Sequence, residues 1–131
     1  MIPPVVPPRG ICLPCQIQHV RDGDTVVVTC LSNLSWAIRL IDCWAPETST
    51  EEGRAAKHYA ETLVETAGPC VLFIPLDRLQ EIQEAHDGAL NLLQLLTFDR
   101  VPGVIYFDDY LTLNELMVKA GHATKTKGLQ K

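Results

Sequence analysis

Arg39-Leu40-Ile41-Asp42-Cys43-Trp44-Ala45-Pro46-Glu47 is the stretch on which the reading of the whole chain turns. An apolar strand runs into an arginine and ends in an acid just behind a proline. One short segment can therefore present a cation and a carboxylate side by side at a strand end. Planar guanidinium groups match the oxygens of a phosphate bidentately, and a carboxylate close by can hold or deprotonate water. That combination suits the handling of a phosphate group.

Working outward, His19-Val20-Arg21-Asp22-Gly23-Asp24-Thr25-Val26-Val27-Val28 reads as an acidic turn opening a strand. Glycine tolerates positive φ, and aspartate bonds its own backbone. Residues 11–20 become strand-like once Pro14 is passed, with Cys15, Ile17 and His19 on one face. Residues 25–31 are β-branched and apolar, Ser32-Asn33 makes the next turn, and residues 34–43 return as a third strand. Behind Pro46-Glu47 the period changes to that of a helix. Ser49 or Thr50 can cap it, Glu51 and Glu52 suit its positive end, and Ala56, Tyr59, Ala60, Leu63, Val64 and Ala67 form one apolar face before Gly68-Pro69 stops it.

The second half is expected to supply a short apolar strand over residues 70–76, then one or two short leucine-rich helices over residues 77–96 as an insert. Phe98-Asp99-Arg100-Val101-Pro102-Gly103-Val104-Ile105-Tyr106 places a second arginine ahead of a last strand over residues 104–107. A helix over residues 111–120 follows, with Leu113, Leu116, Met117 and Ala120 facing inward and Gly121 as its C-cap. Five strands and two main helices in this order give an α+β, mainly β chain: a five-stranded OB-type barrel with a helical insert between the last strands.

Taken in order, the Asp-Gly-Asp-Thr turn, the Arg-Leu strand ending in Ala-Pro-Glu, the helix and the Arg ahead of a final strand resemble the staphylococcal nuclease-like family, from about Gln16 to Ala123. The resemblance implies an SNase-like barrel that hydrolyses phosphodiesters of single-stranded DNA or RNA. It implies one calcium ion held by Asp24, with Asp22 nearby and the Ala45 carbonyl as a further donor. Glu47 would activate water, and Arg39 and Arg100 would neutralise the phosphate. The chain departs from the family at Trp44, which stands where the second metal aspartate belongs. Asp42, two residues earlier in an extended strand, would point to the same face and could substitute.

Composition restrains these expectations. The chain has 131 residues and 47% hydrophobic content, enough for one ordinary core. Its formal net charge is −5, so a nucleic-acid site has to be a local cationic feature or lean on a metal. Five cysteines, an odd number scattered through strand-like runs, read as reduced and mostly buried thiols. Cys12-Leu13-Pro14-Cys15 could be half of a zinc site, but no second pair accompanies it. Residues 1–10 read as a proline-rich extended arm, residues 11–123 as the domain and residues 124–131 as a polar tail. With no apolar leader or membrane-spanning run, a soluble, cytoplasmic protein is expected. Two further readings compete with the hydrolase: a nuclease-derived module that binds nucleic acid or protein without turnover, with Trp44 stacking on a base, and an interaction protein using its proline-rich arm.

Overall fold

A computed structural model describes residues 10–31, 34–75, 101–108 and 110–126. Five strands, β1 (Gly10–Asp22), β2 (Thr25–Cys30), β3 (Leu34–Leu40), β4 (Cys70–Pro75) and β5 (Val101–Tyr106), close into a barrel in the order β1-β2-β3-β5-β4. Only the β3–β5 contact is parallel, joining Ile38, Arg39 and Leu40 to Val101, Pro102 and Gly103. Among the described residues, two helices accompany the barrel, α1 (Glu51–Thr66) and α2 (Leu113–Lys119). This is a small, mainly β protein with a closed five-stranded barrel, consistent with an OB-type barrel. The expected insert over residues 77–96, the arm up to residue 9 and the Ser32-Asn33 turn lie outside the described residues. Among those described, no helix is long and apolar enough to cross a membrane.

β1 is longer than the pattern suggested, because Pro14 lies inside it opposite Val71 of β4, ahead of the first β1–β2 pair at Cys15. A strand with a neighbour on one side only tolerates the missing N–H. Register shifts after Ile17 and after Val20 each insert one extra residue into β1. The first reverses the inside-outside alternation, so Val20 is buried and His19, expected beside Cys15, is exposed. Such bulges also coil the long strand as the barrel closes.

Strand ends differ from expectation for local reasons. β3 stops at Leu40 rather than residue 43 because Ile41 and Asp42 turn, with Asp42 in the left-handed region at φ 52. β5 starts at Val101, three residues earlier than expected, since Pro102 and Gly103 are accommodated within the strand. Thr50 caps α1 by accepting from the Gly53 N–H at 3.0 Å. α2 is capped by Thr112 at its start and by Ala120 at its end, one residue before the expected Gly121, whose φ of 82 lets the His122 and Gly121 N–H groups bond back to Met117 and Val118. Leu113 and Met117 are buried as read, but so is Asn114, while Ala120 is exposed.

The core joins inward residues of every strand to α1 and α2: Val26, Val28, Ile38, Leu40, Leu72, Ile74 and Ile105 from the barrel, Ala56 and Ala60 from α1, Leu113 and Met117 from α2. The tail expected to begin at residue 124 is anchored at its first residue. Thr124 and Trp44 exchange two backbone hydrogen bonds, of 2.8 and 3.0 Å.

Candidate phosphate-binding rim

The β1–β2 ladder ends at the pair Asp22 and Thr25, leaving Gly23-Asp24 as a two-residue turn. Gly23 is required for closeness rather than for positive φ, which it does not have. A Cβ there would stand 2.7 Å from the Ala45 Cβ and 2.8 Å from the Ala56 Cβ. The turn is thereby pressed against both the β3–α1 connection and α1 itself. Asp24, 9% exposed, is carried into the interior of this junction.

Each part of Asp24 has a partner. Its Oδ2 accepts from the Ala45 N–H at 3.0 Å, its Oδ1 from the Thr25 hydroxyl at 3.2 Å, and its carbonyl from the Leu40 N–H at 2.8 Å. Its own N–H donates to Asp22 Oδ1 at 3.1 Å. Arg39, directly opposite Thr25 in the β2–β3 ladder, brings Nη2 to 3.8 Å from Asp24 Oδ2. The other arm of the guanidinium, Nη1, donates to the Leu40 carbonyl and, at 2.8 Å, to that of Cys43. The guanidinium carbon lies 3.8 Å from the centroid of the Trp44 ring. Arginine and tryptophan thus form a cation–π stack that closes the turn from Leu40 to Cys43.

Asp22, Asp24, Arg39 and Ala45 therefore come together as the sequence implied, joined by Trp44. Asp42 is not on the extended strand expected of it. The turn at Ile41 and Asp42 breaks the extended geometry on which its substitution rested, and Asp42 instead lines a separate groove of about 570 Å³ with Glu115 and Lys119. Glu47 is exposed on the connection into α1, where its carbonyl accepts from the Thr50 N–H at 3.0 Å and the Thr50 hydroxyl at 2.7 Å. Arg100 lies outside the described residues. The sequence reading missed the contact between Trp44 and Arg39: five residues apart in a supposed strand they would lie on opposite faces, and only the turn between them lets them stack.

These residues do not fit calcium. A hard cation is held by several oxygens, carboxylates above all. Here both oxygens of Asp24 accept from protein donors, and the position of the second carboxylate is an indole. Among the described residues, no group of three or more histidine, cysteine, aspartate or glutamate side chains is arranged to hold a metal.

Burial, followed by the neighbouring Asp22 carboxyl, pushes the Asp24 carboxyl up from 3.8 to about 6, against the opposing pull of the Ala45 N–H and Arg39. The folded state then holds this proton more tightly than the unfolded chain does. Its contribution to stability is full below about pH 4 and is lost as pH rises through about 6. Urea unfolding of the wild type should show this decline between pH 4 and 7, and in Asp24→Asn the decline should flatten. Parallel pH profiles for the two proteins would contradict the assignment.

Compared with protein-family models and with curated proteins, the sequence matches none. Fold and rim together define a closed five-stranded barrel, consistent with the OB type, one end of which carries an arginine–tryptophan stack beside a buried aspartate.

Proposed function

We propose that this barrel is a binding module for single-stranded nucleic acid that stacks a base on Trp44, backed by the Arg39 guanidinium, without metal-dependent turnover. The observation that supports it is the rim itself: Asp24 is engaged by Ala45 and Thr25, while a planar cation and an indole are stacked at 3.8 Å. Aromatic and guanidinium planes are the surfaces on which unpaired bases and phosphates settle in a sequence-tolerant way. The net charge of −5 keeps the electrostatic part of such binding small. A contact to one or two phosphates gives a salt slope of only about −0.7 per phosphate in log K against log salt.

Titration with a short oligothymidylate tests this through tryptophan emission. Trp36 is 3% exposed inside the barrel and serves as the constant background, so quenching should come from Trp44 and disappear in Trp44→Leu. The oligonucleotide should be recovered intact with calcium or with chelator. No binding by anisotropy at low salt would reject the proposal.

The hydrolase reading keeps one specific support, the exposed Glu47 on the same connection as Trp44 and Ala45. Cleavage that chelator stops and Glu47→Gln abolishes would replace the binding module by a phosphodiesterase.

A further inference from the structure

β1 changes neighbours at Cys15. This residue is the last pair of the β1–β4 ladder, opposite Cys70, and the end pair of the β1–β2 ladder, opposite Cys30. Three thiols therefore stand in a row across β4, β1 and β2, all buried and all free. Directly opposed residues of antiparallel strands have Cα atoms about 4.5–5.5 Å apart. That spacing lies within the roughly 4.4–6.8 Å that a disulfide spans. Either pair could be bridged, but not both at once, because Cys15 is common to the two.

The row is not sealed on every side. Cys70 borders a cavity of about 230 Å³ formed with Gln16, Ile17, Val64, Ala67 and Gly68. At rest its S–H donates to the Gly68 carbonyl at 3.3 Å. Cys70 is also the first residue of β4, where the chain has just left Gly68-Pro69, so its backbone is held on one side only. We propose that a small hydroperoxide entering this cavity converts Cys70 and Cys15 into a disulfide, and that Cys30 can reopen it by exchange.

The steps balance. The Cys70 thiolate attacks hydrogen peroxide, an S–O bond forms, the O–O bond breaks, and the departing hydroxide takes a proton to become water. The Cys15 thiolate then attacks the Cys70 sulfur; the S–S bond forms, the S–O bond breaks, and a second water leaves. Two thiols and one peroxide give one disulfide and two waters. In the exchange, the Cys30 thiolate attacks the Cys15 sulfur and Cys70 departs as thiolate. The result is a covalent link that ties β1 either to β4 or to β2.

Burial pushes the Cys70 thiol up to about 11, and burial together with Cys70 and Cys30 pushes Cys15 up to about 12. The thiolate, the reactive form, is thus scarce at neutral pH, and the oxidation should quicken about tenfold per pH unit between 7 and 9. The experiment uses the full chain carrying Cys12→Ser, which removes the exposed thiol and with it disulfides between molecules. After peroxide, thiol titration in denaturant should fall by two, and peptide mapping without reductant should join Cys15 to Cys70 or to Cys30. In Cys15→Ala no disulfide should form, and a sulfenic-acid trap should label Cys70. An unchanged thiol count, a link that omits Cys15, or a rate independent of pH would overturn the proposal. The peptide map of the Cys12→Ser chain stands alone if Cys15→Ala does not fold.

Discussion

Replacing Asn114 by leucine should lower the unfolding free energy by about 2–6 kcal/mol. The reason lies in how the barrel is closed. β3 and β5 run together for only three residue pairs and then diverge, as β3 ends at Leu40 and the chain turns at Ile41 and Asp42. Beyond that point β5 keeps β4 on one edge, but on the other β3 can no longer satisfy it, and a side chain takes over. Asn114 Oδ1 accepts from the Ile105 N–H at 3.1 Å, while Nδ2 donates to the carbonyls of Ile41 at 2.9 Å and Gly103 at 3.2 Å. The Gly103 carbonyl keeps a second donor in the Ile41 N–H, at 3.0 Å. The Ile105 N–H and the Ile41 carbonyl lose these partners in the leucine variant, and each buried polar group left unsatisfied costs about 1–3 kcal/mol. Urea unfolding with a shared m-value measures the loss, and a change below about 1 kcal/mol would show that water replaces the amide. Asn114→Asp sharpens the test. Its carboxylate could still accept from Ile105 but would face two carbonyls, so the penalty should grow above the carboxyl pKa and shrink below it.

Gly53→Ala should also destabilise the protein, by about 2 kcal/mol or more, although alanine is the better helix former by about 1 kcal/mol. Gly53 is in the first turn of α1, and a Cβ there would lie 1.8 Å from the Glu47 carbonyl oxygen and 2.8 Å from that of Pro46. Both obstacles are backbone, so no rotamer change relieves them; the connection carrying Glu47 must move or the helix must lose its first turn. Thermal unfolding beside an Ala55→Gly control separates the two effects. Ala55 is exposed in the same helix, and its replacement should cost only the propensity difference. If Gly53→Ala raised the melting temperature, the close packing of α1 on Glu47 would be wrong. In a protein that keeps its fold, the same substitution should alter any activity that depends on Glu47.

The fold was more legible than the site, for a physical reason. Strands and helices announce themselves through periodic apolar residues, and the cap at Thr50 follows from side-chain chemistry local to the helix end. Errors fell where backbone geometry left no trace in residue type. The alternation Ile41-Asp42-Cys43 continues a strand pattern, yet Asp42 sits in the left-handed region and ends it. The last strand was expected from residue 104, yet Pro102 and Gly103 are strand residues, paired with Arg39 and Leu40 of β3. Within the site, the proximity of Asp24 and Arg39 was legible from motif order, and the register that sets Thr25 opposite Arg39 delivers it. The burial of Asp24 and its bond to the Ala45 N–H were not, since nothing in an Asp-Gly-Asp turn says which acid faces inward. Asn114 was missed altogether: a lone asparagine on a short helix carries no sign of the distant backbone groups it serves.

The hydrogen-bonded pair formed by Trp44 and Thr124 gives the downstream end of the chain a hold on the rim. Among the described residues, the segment after α2 is bound to the rest by this pair, by Ala123, which is buried in the core, and by the ring contact of His122 with Tyr59 of α1 at 4.8 Å between centroids. A fusion partner or tether that drags on residue 126 transmits its load to the indole before it reaches α2. Tags attached beyond that residue therefore call for a slack linker, and a taut one would report itself first as a change in Trp44 emission.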